Sequence, residues 1–142
     1  MSERTSKPTK TLLILALAYG AASLFHHIHN AEFLDEYPGL PGWLSRGRVY
    51  AAWLGVTAVG LTGYALLRSR HRIAGLAVLG IYAAFGLDGL GHYAIAPLSA
   101  HTVTMHLTIG LEVATALLLI TAVASGIVRE LRGERQSFQI DS

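Results

Sequence analysis

Four apolar blocks, each long enough to cross a lipid bilayer, dominate this chain and restrict what it can fold into. A helix needs about 20 largely apolar residues to span the hydrocarbon core of a bilayer. The blocks run from about Thr11 to His29, Val49 to Leu67, Ile73 to Tyr93 and Thr102 to Val128. Inside hydrocarbon every backbone polar group must find an internal partner, so such blocks become helices or a closed barrel. Blocks this long and continuous, without strict two-residue alternation, predict helices. The expectation is an all-α integral membrane four-helix bundle forming one domain over residues 1–142.

Composition supports this. Only 14% of residues are charged and 52% are hydrophobic, whereas a soluble domain is about 25% charged. The first block has the basic start and small residues ("YGAAS") of a secretory signal. Its apolar run is long for a signal, so a retained helix is expected.

The basic residues predict a direction. Lys7 and Lys10, the turn "RSRHR" (68–72) and the tail "RELRGER" (129–135) all fall at one end of an up-down bundle. Lys and Arg accumulate on the cytoplasmic side, so N-in/C-in is expected, with a basic cytoplasmic tail at 129–142. The outer loop 30–48, which contains "YPGLPGW", is expected to lie at the interface as a lid. The net charge of +2 is built from these short flanking clusters. It predicts the lipid bilayer as partner and excludes nucleic acid. The expected location is the cell membrane, multi-pass.

Cysteine is absent. Disulfides, thiolate metal sites and cysteine nucleophiles are thereby excluded. Seven histidines against two methionines make imidazole the main ligand type for any metal.

Six histidines fall near the outer ends of the blocks: His26, His27, His29, His92, His101 and His106; only His71 is at the inner end. Asp88 and Glu112 lie within blocks, where ionisable residues are costly and mark function by default. At about 1.5 Å of rise per residue, His26 stands about 22 Å and His29 about 27 Å above the inner end of the first block. By the same count Asp88 is about 22 Å up and His92 about 28 Å, and His106 descends about 6–9 Å from the outer surface. Three helices therefore bring imidazole and carboxylate to one depth.

Angle refines the set. Asp88 and His92 are separated by about 40° on an ideal helix and His26 and His29 by about 60°, while His27 points elsewhere. His101, Met105, Thr108 and Glu112 form one stripe, with His106 about 120–140° from it. Depth nevertheless favours His106. The candidate metal ligands are His26, His29, Asp88, His92 and His106.

Inward-facing His and carboxylate pairs from neighbouring helices are how bundles hold one or two ions. A nitrogen-rich set suits iron, copper or zinc rather than magnesium or calcium. Glu112 or Asp88 is expected to be the catalytic, proton-handling group; Glu112, deeper in the bundle, is alternatively expected to join His106 as a deeper metal ligand or to hydrogen-bond a Thr, Ser or Tyr such as Thr57, Thr62, Tyr64 or Tyr82. Glu32, Asp35 and Glu36 would attract cations to the outer face.

The expected function is a small membrane metalloprotein, with oxidation or hydrolysis of a lipid-like substrate as its chemistry. Three alternatives stand beside it: a b-type haem electron carrier with two axial histidines, a metal transport or delivery protein, and a structural subunit with no site. A homo-oligomer or larger membrane complex is compatible with all of them.

Overall fold

The computed structural model describes residues 6–140, with side chains described for 9–133. The Lys7 side chain, the side chains of 134–140 and the last two residues of the basic tail lie outside the described residues.

All regular structure among the described residues is helical, with no strands. Helix α1 spans Ser6–Glu32, α2 Arg46–Arg68 and α3 Arg72–Ala84. A 3-10 segment, Phe85–Leu90, continues α3 into a short helix α4, Gly91–Ile95. Helix α5 spans Val103–Ile140. Four stretches are long and apolar enough to cross a membrane: Thr9–Glu32, Arg46–Arg68, Arg72–Ile95 and Val103–Gly133. Each extends the expected span by a few residues. The third is not one continuous α-helix.

The helices pack in a ring, with α2 beside α1 and α3, and α5 beside α3 and α1. The α2–α3 turn then falls at the same end as the start of α1 and the end of α5. The loop between α1 and α2 and the loop from Ala96 to Thr102 cap the opposite end. The outside is greasy: Ile14, Leu17, Leu54, Leu61 and Leu107 are each more than 60% exposed. An apolar belt this large would be an association site in water, and it suits a hydrocarbon surround.

Lipid removes most of the hydrophobic drive between helices, so close packing must hold them. Glycines make that possible. A Cβ on Gly75 would strike the Leu67 backbone, and one on Gly63 would reach Leu79 N at 2.9 Å. These contacts zip α2 to α3 near their tight turn. On the third span, a Cβ on Gly86 would lie 2.5 Å from the Tyr19 ring and 2.7 Å from Ala116 Cβ. Gly86 therefore lets this span touch α1 and α5 together. Tyr19, Leu67, Leu76, Leu79 and Leu119 fill the core. At the basic end Arg72 Nε donates to Glu130 Oε1 (3.0 Å), joining α3 to α5.

The first loop folds back over the opposite end. A 3-10 turn, Leu34–Glu36, leads into Tyr37, which is 4% exposed. Gly39 adopts φ 75°, a left-handed conformation that glycine takes at little cost. A Cβ there would also clash with Ile95. The loop is thus seated on α4.

Candidate functional site

The polar residues that four apolar helices cannot place in lipid are gathered around one cavity. It encloses about 190 Å³ and is lined by His26, His27 and Asn30 of α1, Asp88 and His92 of the third span, and Glu112 of α5. Three imidazoles and the Glu112 carboxylate thus meet inside the bundle, on the loop side of its core, with Asp88 at its edge.

Glu112 forms the floor. It is 2% exposed, with Oε2 3.7 Å from His26 Nε2 and Oε1 4.0 Å from His27 Nδ1. Gly89 clears the space above it: a Cβ there would meet Glu112 Oε2 at 3.4 Å and His26 Nε2 at 3.9 Å.

His26 is held in one tautomer. Thr108 Oγ1 donates to the Met105 carbonyl (3.1 Å), so toward His26 it accepts. The His26 proton then lies on Nδ1, 3.4 Å from Thr108 Oγ1. On the other side Asn30 Nδ2 donates to His26 Nε2 (2.9 Å). His27 donates from Nδ1 to the Ser23 carbonyl (2.8 Å), which leaves its Nε2 as a lone pair. Of the two, His27 keeps a free lone pair, the form in which a neutral histidine binds metals, whereas Asn30 occupies that of His26.

Asp88 stands at the rim. Its side chain is exposed on the bundle surface while still lining the cavity. The 3-10 segment is the cause. A 3-10 helix turns about 120° per residue against about 100° in an α-helix, so His92 lies roughly 90–100° from Asp88 instead of about 40°. One residue faces the edge and the other the interior. Around this rim the cavity wall consists of Ala52, Val56, Phe85 and Asp88, of which all but Val56 are exposed. The opening therefore faces sideways, between α2 and the third span.

Of the expected ligands, His26, Asp88 and His92 line the cavity, with Glu112 beneath them. His29 and His106 do not line it, because each is met by a tyrosine. His29 Nδ1 bonds the Tyr37 hydroxyl at 2.8 Å. His106 Nδ1 bonds the Tyr93 hydroxyl at 2.8 Å, with the two rings stacked. Conversely His27, which the angular argument sets aside, joins the cavity lining. Glu112 sits beside His26 and His27, and among the hydroxyl side chains considered for it a serine, Ser23, is its hydrogen-bonding neighbour.

From the loop expected to act as a lid, Tyr37 reaches in beside two of the histidines. Its ring rests 4.9 Å from that of His92 and 5.7 Å from that of His29. Burial pushes its phenol up to about 12, so at neutral pH it is a donor. The acids Asp35 and Glu36 nearby are exposed. Glu32 is engaged elsewhere, with Arg46 at 2.6 Å and the Tyr50 hydroxyl at 2.7 Å.

From the cavity a file of imidazoles runs toward the loop end. Ring centres are 5.9 Å apart for His27 and His26, 5.5 Å for His26 and His92, 6.3 Å for His92 and His101, and 5.9 Å for His101 and His106. Among the described residues, no three His, Asp or Glu side chains converge closely enough to hold a metal ion as their rotamers stand. Comparison of the chain with protein-family models, curated proteins and solved structures gives no match.

Proposed function

We propose that this chain is a multi-pass protein of the cell membrane, both termini cytoplasmic, whose cavity binds a transition-metal ion and acts on a lipid-like substrate. The orientation rests on Lys10, Arg68, Arg70, Arg72, Arg129 and Arg132 at one end, following the positive-inside rule. The site then lies just under the outer face.

The observation that carries the proposal is the lining of the cavity. Three neutral-capable imidazoles and two carboxylates surround about 190 Å³ inside an otherwise apolar bundle. Groups so costly to bury in lipid are kept for function. His26, Asp88 and His92 would hold the ion, and iron, copper and zinc match that donor set. Bound there, the metal would act as a Lewis acid in hydrolysis if zinc, or support oxidation if iron or copper. Glu112, within 4 Å of two imidazoles, would take up and return the proton.

A lipid-like substrate is supported by the sideways opening beside Asp88 and by a second hollow. A groove of about 290 Å³ between α1 and α2 is lined by apolar side chains such as Leu17, Leu24 and Leu61, with Tyr82 behind them. Tyr82 packs edge-on against Tyr19, a wall of the polar cavity, at 4.7 Å between rings. One aromatic pair thus separates a place for a hydrocarbon tail from a place for a polar head.

A b-type haem fits less well. The His26 and His92 rings are 5.5 Å apart, close enough to touch edge to face, which leaves no slot for a porphyrin between them. The cavity is also below the ~300–1,000 Å³ common for small-molecule sites.

Purification in detergent or nanodiscs, followed by metal analysis and a visible spectrum, tests the proposal. The expected result is one or two metal ions per chain, lost in His26→Ala and His92→Ala, with no Soret band. A Soret band would select the haem carrier. A metal-free, colourless protein whose two variants keep cellular function would leave only a structural role.

A further inference from the structure

We infer that His101 is a ligand of the same metal centre, paired with His92 at its outer rim. The assignment rests on the metal reading of the cavity and adds a residue from outside it.

His101 is not part of α5. It follows the 3-10 turn Leu98–Ala100 in extended conformation, and α5 begins two residues later. From there its side chain turns inward and is only 7% exposed. Its Nδ1 donates to the Pro97 carbonyl at 3.0 Å. That bond places the proton on Nδ1 and leaves a lone pair on Nε2. Among the described residues, Nε2 is buried and has no hydrogen-bond partner. His92 Nδ1 is in the same condition, buried without a partner. The two rings are 6.3 Å apart.

Buried polar atoms are nearly always paired, and each exception calls for a reason. Among the described residues Tyr19 Oη, Asn30 Oδ1 and Trp53 Nε1 are also unpaired, but the two exceptions on neighbouring imidazoles from different segments share one reason if an ion sits between them. Metal-bound histidines characteristically donate their other ring nitrogen to a carbonyl or carboxylate, as His101 does to Pro97. The neighbouring His106 differs, because its Nδ1 is bonded by the Tyr93 hydroxyl. Two neutral imidazoles without thiolate select a borderline ion such as zinc, copper or iron.

Purified protein is titrated with Co²⁺, whose visible absorption reports nitrogen ligation, and Zn²⁺ is then used to displace it. The variants are His101→Ala, His101→Gln, and His26→Ala with Asp88→Asn. Circular dichroism and size exclusion check folding. Expected is Co²⁺ affinity at least about tenfold weaker in His101→Ala, a loss on the scale of removing even an outer-shell partner. Millimolar imidazole, filling the vacated space, restores the spectrum.

A folded His101→Ala that binds Co²⁺ within twofold of wild type overturns the assignment. If the His26/Asp88 variant still loses Co²⁺, the cavity reading survives without His101. Weakening that imidazole does not rescue shows a structural role and also overturns it, with His101→Gln checking that packing alone is not the cause. A wild-type protein that takes up neither ion removes the cavity reading and the assignment together.

Discussion

Removing the Tyr37 ring should expose the imidazoles beneath it. Tyr37 makes two separable contributions to closing the loop. Its hydroxyl bonds His29 Nδ1 at 2.8 Å, and its ring, buried to 4% exposure, lies on His92. Tyr37→Phe removes only the hydrogen bond, about 0.5–1.5 kcal/mol, which shifts loop opening by roughly 2–10-fold. Tyr37→Ala removes the ring, and loss of a buried aromatic costs about 3–5 kcal/mol, or roughly two to three and a half powers of ten. The assay is carbethoxylation of histidines by diethylpyrocarbonate, followed residue by residue with peptide mass spectrometry. His71, exposed at the far end of the bundle, provides an internal reference. Relative to His71, labelling of His92 and His26 should rise about 100-fold or more in Tyr37→Ala, and no more than about tenfold in Tyr37→Phe. His26 and His92 rates within twofold of wild type in Tyr37→Ala would refute the lid, and reagent would then be entering sideways past Asp88.

Three further outcomes follow from the packing and the loop. Gly86→Ala should lower stability by about 1–3 kcal/mol through overpacking, because its Cβ meets Tyr19 and Ala116; Gly110→Ala, which meets nothing, should be neutral or gain up to about 1 kcal/mol. Equilibrium unfolding in mixed micelles compares the two. Arg46→Ala breaks an ion pair whose side chains are 66% and 33% exposed, so it should cost less than about 1 kcal/mol in the same assay. Alkaline stability should carry a Tyr37 signature. Its folded phenol, raised by burial from 10.0 to about 12, stays protonated where the unfolded one ionises. The stability this contributes is fully present below pH 10 and is lost as pH rises through 12. The advantage of wild type over Tyr37→Phe should shrink across that window, and an unchanged advantage counts against the buried phenol.

The helices and the depth of the site were legible in the sequence because both depend on counting along a helix. The apolar blocks located the four helices long enough to cross a membrane to within a few residues, and the rise per residue placed His26 level with Asp88 and His92 about one turn above. These three do line one cavity. The inward stripe of Met105, Thr108 and Glu112 was also visible from the period. What counting along one helix cannot report is what the loops bring. His29 and His106 have suitable depth, but Tyr37 and Tyr93, eight and thirteen residues away along the chain, bond them. His27 failed a test of shared angle with His26, although the carboxyl of Glu112 reaches between the two and needs no shared angle. The course of the Tyr37 loop and the packing of one helix on another set these partnerships, and neither is written in the period of a single helix.

The irregular third span connects these observations. The stretch "FGLDGLG" has glycine at 86, 89 and 91; a side chain at the first would strike Tyr19 and Ala116, whereas one at Gly89 would only touch Glu112. Glycine at 86 is required for that approach, and the glycines together weaken the local preference for an α-helix. The chain tightens to 3-10 geometry there, which keeps its backbone hydrogen-bonded as a lipid environment demands. The extra twist turns Asp88 outward and leaves His92 inward. A regular α-helix would set both groups on one face, where they could simply pair. The 3-10 turn separates them, leaving the carboxylate at the mouth and the imidazole free on the inside. The same close approach that packs this span therefore also keeps its acid and its histidine available to a third group.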